Sequence, residues 1–201
     1  MSFTTLVAAG IWLWTSVFEQ RFVPKRFGEV ERGCIYRSGQ LSAPLVKKVL
    51  AEYHINTIVD LGAEKSADPD QQAEKQAATE LNIRILRFPL SGNGTGDVNE
   101  YAHAIVAIAE AQKNKLPVLV HCAAGAQRTG GVIAAYRLLV QKKTPRFVAT
   151  ELEHYGCDID DKPALLNYLN SNMAELAKLL KKAGVIDEIP SPLPQLPQGK
   201  P

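Results

Sequence analysis

The sequence predicts an α/β fold, with a mostly parallel central sheet and helices on both faces. Three observations carry this. Short β-branched apolar runs alternate with longer stretches of helical periodicity along most of the chain. Residues 129–140 (TGGVIAAYRLLV) are apolar nearly all round, as a helix packed inside other layers must be. The 201 residues suffice for one domain with a real core and are too few to demand two.

Residues 3–18 (FTTLVAAGIWLWTSVF) carry no charge, and Arg21, Lys25 and Arg26 follow them. The run falls slightly short of the ~20 residues that span a bilayer. It lacks the basic start of a secretory signal. Charge after the run rather than before it predicts a membrane anchor with the downstream domain on the cytoplasmic side. Export, or a helix packed on the domain, are the alternatives. Residues 19–32 read as a polar connector punctuated by Pro24 and Gly28.

The domain is expected over residues 30–184. Cys34 to Arg37 reads as a short strand. Ser42 then caps a helix whose stripe is Leu45, Val46, Val49, Leu50 and Tyr53. Ile55 to Leu61 is a buried strand. Asp68-Pro69 opens a polar helix that turns only Ala73, Ala77 and Leu81 inward. Ile83 to Phe88 is a strand stopped by Pro89, and a flexible Gly-rich loop follows over 91–96. Asp97 caps a helix with Tyr101, Ile105 and Ile108 on its inner face. Pro117 to His121 is a strand, residues 129–140 the buried helix, and Thr144-Pro145 starts a helix ending near Gly156. The last helix carries Leu165, Leu166, Leu169, Met173, Leu176 and Leu180, with Lys181 and Lys182 at its negative end and Gly184 as its stop. Residues 188–201 are Pro-rich and expected to be disordered.

A formal net charge of +2, without a long Lys/Arg run, gives no basis for nucleic-acid binding. An anionic substrate would have to be held by local charge. Three widely spaced cysteines, Cys34, Cys122 and Cys157, do not make a disulfide framework, and no His or Cys stands at zinc spacing.

Chemistry concentrates in His121-Cys122-Ala123-Ala124-Gly125-Ala126-Gln127-Arg128-Thr129. A thiol attacks phosphorus only as the thiolate, and a free cysteine has a pKa of about 8.5. Between a strand end and a helix start, unpaired N–H groups and the helix dipole favour the anion. The same N–H groups of residues 123–128 can ring one phosphate. Small side chains let the backbone approach closely, and the Arg128 fork matches two phosphate oxygens. Thr129 can hydrogen-bond the sulfur, and His121 orients. Packing is the simpler reading of Cys34 and Cys157.

The segment HCAAGAQRT resembles the HCxxGxxR(S/T) signature of the protein tyrosine phosphatase superfamily, with every fixed position present. Ile35 to Gln40 (IYRSGQ) is similar to the entry segment of its small bacterial and fungal dual-specificity-like subgroup. The resemblance implies the cysteine phosphatase fold and two-step hydrolysis through a phosphocysteine on Cys122, with no metal or cofactor. The implied substrate is a phosphorylated protein or small phosphomonoester. It also implies an acid on the loop before the signature, where Asp97 is the one carboxylate. Asp97 equally suits the following N-cap, with Glu100 and Asp68 as substitutes. Arg37 is either an ion-pair partner or a substrate contact. A phosphoinositide phosphatase, a non-catalytic phosphate-binding module and a thiol redox or sulfur-transfer protein are the competing functions. The uncharged positions 123, 124, 126 and 127 favour singly phosphorylated substrates over highly phosphorylated inositols.

Overall fold

The computed structural model describes residues 22–157 and 163–197. In chain order the elements are β1 (Gly28–Glu31), β2 (Ile35–Gly39), α1 (Ala43–Glu52), β3 (Thr57–Asp60), α2 (Pro69–Glu80), β4 (Arg84–Arg87), α3 (Val98–Lys113), β5 (Val118–Cys122), α4 (Gln127–Leu139), α5 (Pro145–His154) and α6 (Pro163–Lys182). The strands form one sheet in the order β1-β2-β5-β3-β4. Only the β1–β2 pairing is antiparallel. The expected mainly parallel sheet between helical layers is the fold that forms.

Side-chain alternation splits the core in two. Tyr36, Ile58 and Leu119 face α1 and α2, where they meet Val46, Val49, Leu50, Ala77 and Ala78. Ile35, Val59, Val118 and Val120 face the larger layer of α3 to α6. The centre of that layer is α4, buried at every residue from Thr129 to Leu139. Even Arg137 is inside. It is held bidentately by Glu151 of α5, with Nε and Nη2 donating at 3.0 and 2.7 Å.

Several expectations need correction. The connector over 19–32 contains β1, and packing reaches back past residue 30. Phe27 stacks on Tyr36 and packs against Tyr53 at a tilt of 46°, and the Lys25 carbonyl accepts from Gly39 N–H at 2.7 Å. Alternation was hard to see in four residues, of which only Val30 is fully buried. The tail expected to be disordered is docked as far as Leu196. Asn170 brackets Leu196 from both sides, accepting from its N–H at 2.8 Å and donating to its carbonyl at 3.0 Å, and Leu196 is buried. A Pro-rich segment loses little chain entropy on ordering, so a few such contacts can hold it.

Membrane anchoring is also corrected. Among the described residues no helix is long and apolar enough to cross a membrane. The apolar run over 3–18, on which that expectation rested, lies outside the described residues.

Candidate active site

The central strand β5 ends at Cys122, and α4 begins five residues later. The site therefore sits where ligands of open α/β sheets bind, beyond the carboxyl ends of the strands. Residues 122–128 form a cradle held from outside by its carbonyls. Gln40 N–H donates to the Ala123 carbonyl at 3.3 Å. Arg26 Nη1 donates to that of Ala124 at 2.9 Å, and Arg37 Nη2 to that of Gly125 at 2.8 Å. In a trans peptide the N–H points opposite to the carbonyl. Three successive carbonyls turned outward thus turn the N–H groups of Ala124, Gly125 and Ala126 inward. Gly125 N–H reaches the Cys122 sulfur at 3.2 Å.

Gly125 is required here for two reasons. Its φ is +72°, and a Cβ at this position would stand 2.5 Å from Gly39 N and 2.7 Å from Ser38 C. The cradle therefore rests directly on the end of β2.

Cys122 is buried, at 2% exposure. Burial pushes its thiol pKa up. The Thr129 hydroxyl and N–H, the Gly125 N–H and the Arg128 charge outweigh this and hold it below the ordinary value. Arg128 is the second residue of α4, and its buried Nε has no hydrogen-bond partner among the described residues. The cleft over the sulfur has a volume of about 170 Å³ and is lined by Arg26, Gly92, Cys122, Ala124, Ala126, Gln127, Arg128 and Gly156. Among the described residues, the cations lining it are Arg26 and Arg128.

Beneath the cradle lies a row of alternating charge. Strand register sets Arg87 beside Asp60 and Asp60 beside His121. Arg87 Nε and Nη2 both approach Asp60 Oδ2 at 2.9 Å. Alternation along β5 turns His121 away from Cys122, toward α2, where its Nε2 lies 3.1 Å from Glu74 Oε2. The two side chains form a buried ion pair. Glu74 also accepts from Gln40 Nε2 at 3.1 Å. Burial opposes charge on His121, but Glu74 chiefly, with Asp60 and Cys122, pushes its pKa up to about 9. Burial likewise opposes charge on Glu74, and His121 and Gln40 hold its pKa down. Asp60, Glu74 and His121 bring one ligand atom each within 4.8 Å. Asp60 and Glu74 are already paired with Arg87 and His121, so a divalent cation here would have to displace the His121 proton and sit beside the Arg87 guanidinium.

Of the residues singled out from sequence, Cys122, Ala124, Ala126, Gln127 and Arg128 line the cleft, while Ala123, Gly125, His121 and Thr129 support it. Asp97 does not line it. Its exposed carboxylate accepts from Asn99 N–H and Asn99 Nδ2, both at 2.9 Å, and these bonds hold its pKa down. A proton donor needs the opposite shift. Asp68, a substitute, caps α2 by accepting from Asp70 and Gln71 N–H. The loop over 91–96 is not loose either. Ser91 N–H donates to the Thr95 carbonyl at 2.9 Å, Asn93 accepts from Thr95, and the Tyr101 and Tyr168 hydroxyls donate to Gly94 and Gly96 carbonyls.

Arg37 is 1% exposed and cannot reach a substrate. It stacks on the Tyr155 ring at 3.7 Å, and burial lowers its pKa to about 10. Two participants escaped the sequence reading. Arg26 lay in the supposed connector. Glu74 lay on a helix read as presenting only alanine and leucine inward, although its spacing of three and four residues from Ala77 and Ala78 marks the buried face.

Comparison with known proteins agrees with this geometry. The family described as DSP-PTPase phosphatase fused to NAD+ kinase matches residues 9–167. The dual specificity protein phosphatase OPG106 of Vaccinia virus (strain Western Reserve) is 35% identical over 72 residues, 35% of this chain. That match covers 42% of the viral protein, so the chain spans well under two thirds of this relative. Among solved structures, TpbA of P. aeruginosa superposes with a TM-score of 0.62 at 25% identity, covering 80% of this chain and 91% of that one. The core catalytic domain of the PP-IP phosphatase SIW14 from S. cerevisiae gives 0.63 at 20% identity, with 81% and 95% covered, and so speaks to the fold alone.

Proposed function

This chain belongs to the DSP-PTPase family of phosphatases, and from that premise we propose that it hydrolyses phosphate monoesters through a phosphocysteine on Cys122, as a tyrosine or dual-specificity protein phosphatase. The observation that carries the reading is the cradle. Its carbonyls are tied outward and its N–H groups face a sulfur whose pKa is lowered. Such a ring accommodates three phosphate oxygens while the thiolate stands below the phosphorus.

In the first step the Cys122 thiolate forms the S–P bond, the ester P–O bond breaks, and the alcohol or phenol oxygen leaves with the electron pair. Arg128 clamps two equatorial oxygens as charge builds on them. In the second step water attacks phosphorus, the S–P bond breaks, and Thr129 stabilises the departing thiolate. The leaving-group proton is not assigned to Asp97, whose carboxylate is committed to the N-cap of α3. The uncharged side chains of Ala123, Ala124, Ala126 and Gln127 support singly phosphorylated substrates over highly phosphorylated inositols.

The test is Cys122→Ser, assayed with p-nitrophenyl phosphate and phosphotyrosine peptides in the presence of chelator. Turnover is expected to vanish while binding of inorganic phosphate persists, because the backbone cradle remains. Residual turnover above a trace would overturn the mechanism.

A further inference from the structure

We propose that Arg26 determines specificity in this site by binding a second anionic group, a carboxylate or phosphate flanking the phosphorylated residue of a protein substrate. The inference rests on the reading above and concerns what lies beside the scissile phosphate. Arg26 comes from the segment preceding β1, yet it lines the same cleft of about 170 Å³ as Cys122 and Arg128. A cleft that small puts both guanidinium groups within reach of one ligand.

The position of Arg26 is built rather than incidental. Its backbone adopts φ +50°, in the left-handed region that is unfavourable for a non-glycine residue. Gly156, at the end of α5, leaves the space for its side chain. A Cβ there would stand 2.9 Å from Arg26 Nε and 3.0 Å from Nη2. Nη1 donates to the Ala124 carbonyl at 2.9 Å, which fixes the guanidinium at the rim of the cradle. That bond uses one of five N–H donors. Arg26 is exposed and lines the cleft, so its charge faces the space over the sulfur. The variable cradle positions contribute no charge, and Arg37 and Arg87 are committed elsewhere, to Gly125 and Asp60. Recognition of a neighbouring anion therefore falls to Arg26.

A simple strut holding the Ala124 carbonyl would affect all substrates alike, and this separates the two roles. Three phosphotyrosine peptides identical except for flanking alanine, glutamate or a second phosphoresidue are compared by kcat/KM in the full chain and in Arg26→Gln and Arg26→Lys. The full chain is expected to favour the two anionic peptides by about tenfold, equivalent to about 1.4 kcal/mol. This preference should fall as salt is raised, since the pair is exposed. Arg26→Gln should bring the ratio close to one, and Arg26→Lys should restore most of it. No preference in the full chain, or an equal loss on all three peptides in Arg26→Gln, overturns the inference. Failure to cleave any phosphopeptide while p-nitrophenyl phosphate is still hydrolysed overturns the substrate reading itself, and the inference with it.

Discussion

Two strand-to-helix connections flank the cleft, and both carry glycines at positive φ. The cradle over 122–128 has Gly125 at +72°, and the loop over 91–96 has Gly94 at +85°. They use their backbone polar groups in opposite ways. The cradle has its carbonyls tied from outside by Gln40, Arg26 and Arg37, which leaves inward N–H groups for an anion. The other loop closes on itself through Ser91, Asn93 and Thr95 and is pinned by Tyr101 and Tyr168. Glycine content is thus common to a binding loop and a rigid wall. What distinguishes them is where the hydrogen bonds go.

The sharpest test of this contrast is charge in the cradle. Arg128→Ala should lower kcat by at least about 10²-fold and weaken phosphate binding as well, because it removes an anion clamp facing the transition state. Steady-state kinetics and phosphate titration report the two effects separately. An equal loss from a change in the 91–96 loop would erase the distinction.

The glycines themselves come next. Gly125→Ala should cost about 2 kcal/mol or more, since strain at φ +72° adds to a backbone clash at 2.5 Å. Gly94→Ala should cost less, because its nearest backbone contact, the Gln127 carbonyl at 3.1 Å, is looser than that of Gly125 and the closer Leu165 side chain at 2.9 Å can move. Urea unfolding ranks the pair, and activity should follow the first variant more than the second.

The buried row under the cradle adds a pH signature. His121 has a folded pKa of about 9, raised above its ordinary 6.5, so its contribution to stability is full below pH 6.5 and is lost as pH rises through 9. Glu74 is shifted down from 4.5, so its contribution is present above that value and is lost on acidification. The pair therefore stabilises most between about pH 4.5 and 6.5. The stability difference between the native chain and Glu74→Gln should shrink from pH 6 to pH 9.5. A difference that stays constant would mean the ion pair is not formed.

The smallest effect is expected at Asp97. Asp97→Asn should cost about 1 kcal/mol or less, as loss of part of an N-cap. It should slow phenyl phosphate and p-nitrophenyl phosphate alike. A selective loss on the poorer leaving group would restore Asp97 as proton donor and show that the 91–96 loop moves.

The sequence by itself determined the layered α/β fold and the position of the cradle, because both are written in local pattern. Strands and helices show in hydrophobic periodicity, and the cradle lies within the nine contiguous residues 121–129. Caps at Asp68 and Asp97 were legible for the same reason, being local contacts between a side chain and N–H groups two or three residues on. Tertiary structure alone decided which distant side chains complete the site. Arg26 meets Ala124 across 98 positions, and Arg37 meets Gly125 across 88. Glu74 meets His121 only because β5 lies under α2. It also decided that the Asp97 carboxylate stands outside the lining of the cleft and that the Pro-rich tail is docked. Those outcomes depend on where elements pack and on which hydrogen bonds packing satisfies, and neither has a period or a spacing in the chain.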